Sequence, residues 1–178
     1  MRSRYRKDGH KMFRDMRRFK QALSDMETRD ILEAGTVGTL GVFGDNDYPY
    51  TVPVHYVFLD DKIYIHCATA GHKIDALKRN NKVSFCVIGQ DTVVPEKFTS
   101  FYRSVIAFGR ARLLDQGDEY DKAIYALAKK YSSNESEDRI MNEINGSAGR
   151  LMMIAIDIEH LTGKEAIELV RQRADNNS

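Results

Sequence analysis

The spacing of apolar residues in this chain changes at Thr36, from the period of a helix to the period of a strand. Over residues 36–43 apolar side chains recur at every second position, the pattern of a half-buried β-strand. The same alternation returns in later segments, each bounded by the Gly, Asn and Asp residues that favour turns. Strands satisfy their backbone groups by pairing, so this chain is expected to build a sheet with its helices packed around it.

The alternation predicts about six mostly antiparallel strands. They are expected over residues 36–43, 50–59, 62–67, 83–88, 98–114 and 151–158. Only Asp60-Asp61 separates the second strand from the third, which predicts an antiparallel hairpin. The fifth strand is long enough to bend, and a bulge is expected near Gly109.

Five amphipathic stretches predict helices at the periphery of the sheet. They cover residues 20–34, 72–79, 120–131, a short piece before residue 149, and 164–172. Ser24 and Glu27 have the spacing of a capping box, which predicts a regular helix start near Ser24, and Gly35 is a natural stop. The fold class expected from the pattern is mainly β or α+β, with a barrel-like antiparallel sheet.

Length and composition favour a single soluble domain over residues 12–178, preceded by a basic flexible arm over residues 1–11. The chain has 178 residues, of which 42% are hydrophobic and 30% charged. It has no apolar run long enough to span a membrane and no apolar core of a secretory signal at its start. Cys67 and Cys86 lie in strand-like apolar stretches, which favours reduced core thiols and a cytoplasmic location.

The net charge of +1 is unevenly distributed along the chain, because the first 20 residues are strongly basic. Residues 1–20 contain nine Lys or Arg and two Asp, a local charge of +7. Such a segment would contact nucleic acid or an anionic surface, but no RNA-binding or helix-turn-helix pattern accompanies it. The sequence therefore favours a solvated arm over a nucleic-acid-binding one.

Pro53 stands in the middle of a predicted strand. Because proline has no N–H for the ladder, this strand is expected at an edge or a bulge. Backbone N–H and C=O groups beside Pro53 would then be free for a planar heterocycle whose rim carries donors and acceptors.

A second candidate element is the predicted helix start at Gly71, His72 and Lys73. Helix N-termini present unpaired N–H groups and attract phosphate, and two cationic side chains in the first turn call for an anion to offset them. Arg103 and Ser104 lie on opposite faces of the fifth strand, and Arg is suited to phosphate. No spacing of Cys and His typical of zinc is present, and no Gly-rich dinucleotide motif precedes a helix.

Four segments in this order resemble one known family. They are Pro49-Tyr50-Thr51-Val52-Pro53-Val54, Ile63-Tyr64-Ile65-His66, Gly71-His72-Lys73-Ile74-Asp75 and Tyr102-Arg103-Ser104-Val105. Together they resemble the Nim-type nitroimidazole-resistance proteins, which belong to the pyridoxamine 5′-phosphate oxidase-like FMN-binding split barrels. The resemblance extends from Met12 to Glu165, about nine-tenths of the chain.

The resemblance implies a six-stranded split barrel that forms a homodimer and holds two flavins between its subunits. The FMN ring is expected along Val52, Pro53 and Val54, beside His66, Cys67 and Ala68. Its phosphate is expected at Gly71, His72 and Lys73, although His72 replaces an arginine of the oxidases. Arg103 and Ser104 are expected where a later strand reaches the flavin, with Ser104 at a position that is glutamine in the oxidases.

The resemblance also implies a reaction with a small-molecule substrate. Reduced flavin would pass electrons to a nitroaromatic compound such as a 5-nitroimidazole, and His66 is the expected catalytic proton donor. The alternative is a flavin-binding carrier or sensor without turnover, and a third reading is haem binding through His55, His66, His72 or His160. FMN is expected as the cofactor, and FAD is left open.

Overall fold

The computed structural model describes residues 12–176, which form five α-helices around one sheet. The strands are β1 (Val37–Phe43), β2 (Pro49–His55), β3 (Val57–Leu59), β4 (Lys62–Ala68), β5 (Lys82–Val94), β6 (Thr99–Leu114) and β7 (Leu151–Glu165). The helices are α1 (Asp25–Ala34), α2 (His72–Arg79), α3 (Asp118–Tyr131), α4 (Glu137–Ser147) and α5 (Ile167–Asn176). The arm predicted over residues 1–11 lies outside the described residues.

The seven strands form one antiparallel sheet in the order β2-β1-β5-β6-β7-β4-β3. β2 and β3 are therefore at opposite edges, although only Tyr56 separates them in the chain. A single residue cannot cross an open seven-stranded sheet, so the sheet curls until its two edges meet at Tyr56. The α+β split-barrel fold predicted from the sequence is confirmed.

The predicted strand over residues 50–59 is wrong as a single strand, and its division raises the strand number from six to seven. The break falls at Tyr56, which is fully buried. Its hydroxyl donates a hydrogen bond to the Leu32 carbonyl at 2.7 Å, and its ring meets the Phe85 ring edge-on at 5.0 Å. These contacts hold the corner between the two sheet edges.

Two strands are longer than predicted, because their outer halves leave the barrel and lose the alternation of buried and exposed residues. β5 continues to Val94 where a loop was expected, paired with the start of β6 in a long hairpin. β7 continues to Glu165, so the closing helix begins at Ile167 and not at residue 164. The bulge predicted near Gly109 is confirmed, because the register of β6 and β7 shifts between Phe108 and Gly109.

The interior of the barrel is filled by alternate side chains of every long strand. After Tyr56, Phe85 is its largest fully buried side chain, and the Phe85 ring occupies the place where a side chain on Gly38 would stand. Gly38 therefore leaves the space that the tip of this ring occupies against β1. The other fully buried members include Leu40, Ile63, Ile65, Val87, Val105, Ile154 and Ile156.

Helix α3 covers part of the outside of the barrel. Its residues Ala123 and Leu127 pack with Tyr64 and Met153, which face outward from β4 and β7. At its start, Glu119 receives two hydrogen bonds from Arg112, at 2.7 and 2.9 Å, and these lower the pKa of the carboxyl to about 2. α1 begins with the predicted capping box of Ser24 and Glu27, which is confirmed.

The two cysteines differ in position. Cys67 is buried in the barrel, whereas Cys86 faces outward and lines a groove between α1 and β1, so the prediction that it is a core residue is wrong. Neither forms a disulfide. None of the helices within residues 12–176 has the length and apolar character required to cross a membrane. The cytoplasmic location stays a prediction.

Candidate functional site

Strand β2 forms one edge of the sheet, as Pro53 predicts. Pro53 lies opposite Thr39 of β1, and no strand of the described chain pairs with the other side of β2. Val52 and Val54 turn their side chains toward the barrel interior, while Pro53 and His55 are exposed on the outside. The valines therefore offer only their backbone to a ligand, and the outer row offers Pro53 and His55.

The next part of the site is the end of β4. Ile65 and Cys67 point into the barrel, so His66 and Ala68 alternate to the outside. Partial burial lowers the pKa of His66, and the positive charges of His55 and Lys73 lower it further. His66 of β4 is thus close enough to His55 of β2 and Lys73 of α2 for their charges to act on it.

The turn between β4 and α2 requires glycine. Gly71 has φ +127°, a backbone conformation that residues with a side chain rarely adopt. No side chain of the described chain caps α2, and the Ile74 amide already donates to the Gly71 carbonyl at 2.9 Å, so only the first two amides of the helix lack helical acceptors. Lys73 stands in this first turn, next to His66 and Cys67. The combination suits an anion.

The side chain of His72 has partners of its own. Its ring stacks on Tyr50 with centroids 4.3 Å apart, and its Nε2 lies 3.4 Å from a carboxylate oxygen of Asp45. Asp45 also accepts a hydrogen bond from Arg79 at 2.6 Å. The predicted phosphate contact of His72 is thus left to its backbone amide.

Ser104 lies on the outer face of the sheet in the row that contains His55. The row runs across four strands, from His55 through Val37 and Ile88 to Ser104. Val37 and Ile88 face each other because the pair two residues further along these antiparallel strands is Thr39 and Cys86. Three strand spacings separate its ends, roughly 14 Å across the sheet. Within this chain Ser104 therefore borders the site without joining the three basic groups.

Arg103 is not brought to the turn at Gly71. Its side chain follows the inward alternation of β6 to the end of the barrel, where its Nε donates to Glu165 at 3.2 Å. Glu165 is buried and also binds Arg173, which in turn pairs with Glu27. This cluster joins β6, β7, α5 and α1.

Two residues that line the candidate site were not among the binding residues predicted from the sequence. The sequence suggests His55 only as a haem ligand. Because His55 lies two residues after Pro53 in a strand, both side chains are on the same face of β2. Tyr131, the last residue of α3, packs its ring against His55 at 4.9 Å. Its position had no local signal, because it is 76 residues away in the chain. Within residues 12–176 no group of three or more His, Cys, Asp or Glu residues is arranged to hold a metal ion.

Comparison with solved structures supports the fold at low sequence identity. A candidate 5-nitroimidazole antibiotic resistance protein from Bacteroides thetaiotaomicron is 19% identical with TM-score 0.65, covering 81% of this chain and 86% of its own. The conserved hypothetical protein Rv2991 from Mycobacterium tuberculosis is 17% identical with TM-score 0.73, covering 85% and 90%. An FAD-binding protein from Mesorhizobium loti is 24% identical with TM-score 0.56, covering 82% and 97%.

Comparison by sequence identifies the family directly. The family described as pyridoxamine 5′-phosphate oxidase matches residues 24–165, from the N-cap of α1 to the end of β7. No curated protein matches the chain. The match includes every element of the barrel and of the candidate site, and the chain therefore belongs to the pyridoxamine 5′-phosphate oxidase family.

Proposed function

We propose that this protein binds a phosphorylated flavin at the junction of β2, β4 and α2 and uses it to reduce nitroaromatic compounds. The observation that carries the proposal is the convergence of His55, His66 and Lys73 beside an uncapped helix start. This arrangement has the charge and the free amides that a phosphate needs. The unpaired edge of β2 lies next to it.

The first turn of α2 is the proposed phosphate site. The amides of His72 and Lys73 would donate to phosphate oxygens, and the Lys73 ammonium would add a charge-assisted bond. α3, whose start also lacks a side-chain cap, offsets its dipole with Asp118, Glu119 and Asp121. In α2 the corresponding first-turn side chains are His72, Lys73 and a single acid, Asp75, which favours an external anion.

The flavin ring would lie along the outer edge of β2, against Pro53 and between His55 and His66. FMN and FAD share the ring and the phosphate next to the ribityl chain, so the same contacts serve both. Family membership and the FAD-binding relative from Mesorhizobium support a flavin and leave the choice between these two to measurement.

A second copy of this chain is the proposed partner. The outer face of β1, β5 and β6 carries an exposed apolar patch that includes the middle of the row between His55 and Ser104. It is made of Val37, Phe43, Ile88, Ile106 and Phe108. Pairing of two such faces would bury the patch and enclose the flavin between subunits. Ser104 of each subunit would then border the cleft.

The proposed substrate class is the nitroaromatics, in line with the name of the Bacteroides relative. When bound, the flavin supplies the electrons. His66 would donate the proton that accompanies them, because its imidazole faces outward beside the proposed ring position. Its pKa is lowered from the ordinary histidine value of 6.5, so the proton-donating form predominates only at a pH below that value, and reduction is expected to quicken as the pH falls further below it.

The test follows the reoxidation of bound, chemically reduced flavin by metronidazole in anaerobic stopped-flow. His66→Ala is expected to slow reoxidation about 100-fold, the usual contribution of a positioned proton donor, and to remove the acceleration at low pH. His160→Ala is the control, since His160 stacks on Phe13 outside the proposed site. Equal rates for wild type and His66→Ala would remove His66 from the reaction. Absence of reoxidation in the wild type would favour a flavin carrier or sensor.

A further inference from the structure

The corner between β2 and β3 is tied to the start of β1 by one side chain. The Tyr131 hydroxyl accepts a hydrogen bond from the Tyr56 amide at 3.1 Å. Its single proton can be donated to the Thr36 carbonyl at 2.5 Å or the Tyr56 carbonyl at 2.8 Å. Thr36 leads into β1, and Tyr56 joins β2 to β3, so this hydroxyl links the start of β1 to the corner between β2 and β3.

The neighbouring residue reinforces the same place. Lys130 donates to the Gly35 carbonyl at 2.6 Å, and its ammonium lies 4.5 Å from the centre of the Tyr56 ring. The end of α3 therefore contacts the start of β1 and the Tyr56 corner together. His55 precedes that corner, and its ring rests on the Tyr131 ring at 4.9 Å and 45°.

We propose that Tyr131 is a positioning residue, which holds the His55 imidazole in the outer row of β2 facing His66 and Lys73. Without the hydroxyl, the Tyr56 corner loses its bridge to Thr36, and His55 is free to swing away from His66. Of the charged groups that act on His66, His55 approaches from β2 and Lys73 from α2. The inference rests on the proposed flavin site for its functional meaning, but its geometry is testable without flavin.

The experiment titrates the histidine ring protons by NMR in the flavin-free protein and then measures FMN affinity. In Tyr131→Phe the ring remains while the hydrogen bonds are lost, and His66 is expected to titrate at higher pH than in the wild type because the charge of His55 is farther away. FMN affinity is expected to fall about fivefold, the effect of losing one net hydrogen bond. Tyr125→Phe is the matched control, since the Tyr125 hydroxyl on the same helix bonds Glu137.

A double-mutant cycle decides whether Tyr131 acts through His55. His55→Ala is expected to raise the titration midpoint of His66 by itself, and adding Tyr131→Phe should then change nothing further. An additional shift in the double variant, or an unchanged His66 in Tyr131→Phe, would overturn the proposal. If the titrations behave as expected but FMN binds none of the proteins, the positioning role stands and the proposed flavin function fails.

Discussion

Lys73→Ala is expected to weaken FMN binding about 10- to 100-fold and to leave riboflavin binding unchanged. Riboflavin has the same ring but no phosphate, so the difference between the two ligands isolates the contact at the start of α2. Loss of a hydrogen bond to a charged group costs about 1.5–3 kcal/mol, which gives the expected range. Fluorescence titration with each ligand measures both affinities.

Lys78→Ala is the control for this substitution. Lys78 lies in the last turn of the same helix and is exposed, so its removal changes the net charge equally without touching the proposed phosphate site. Equal losses of FMN affinity in both variants would show a general effect of charge and would contradict the assignment of Lys73. A fall in riboflavin affinity in Lys73→Ala would place the ring, and not the phosphate, at this lysine.

Phe85→Ala is expected to lower the free energy of unfolding by about 3–5 kcal/mol, because it leaves a cavity at the centre of the barrel. Gly38→Ala alone is expected to cost about 1–3 kcal/mol, since the added methyl group falls on the Phe85 ring. In the double variant the methyl group enters the cavity, so the two losses should not add. Urea unfolding of the three variants measures this interaction.

Gly146→Ala provides the matched glycine control. Gly146 lies in α4, and no atom of residues 12–176 is near the place of a side chain there, so alanine should raise stability by up to about 1 kcal/mol. Additive losses in the Gly38 and Phe85 double variant would contradict the packing described for the barrel interior.

The edge position of β2 was predictable because one residue dictates it. Pro53 lacks the N–H of a central strand, and the structure places its strand at the edge. The start of α2 was predictable for a similar reason, since Gly71 is followed by an amphipathic stretch. In both places local chemistry leaves few alternatives.

The division at Tyr56 was not predictable from local pattern. Apolar residues continue on both sides of it, and no Gly or Pro marks the corner. What separates β2 from β3 is the burial of the Tyr56 side chain against Leu32 and Phe85, which are distant in the sequence. His55 and Tyr131 were missed as site residues for the same reason, because their proximity arises only when the sheet closes.

Arg103 shows the limit of an argument from residue type. Its guanidinium suits a phosphate, but the alternation along β6 turns it toward the barrel end and the carboxylate of Glu165. Ser104, one residue on, faces the outer surface instead. Glu165 is the partner that decides where the Arg103 side chain lies. It reaches this place only because β7 extends seven residues beyond the predicted end at residue 158.

The most direct test of the proposed flavin site is the absorbance spectrum of the purified protein, recorded before and after titration with FMN. If the chain holds a flavin, we expect the visible absorption bands of an oxidised flavin, which change on binding and saturate at about one flavin per chain. A colourless protein whose addition leaves the spectrum of FMN unchanged at every ratio would contradict the proposed site.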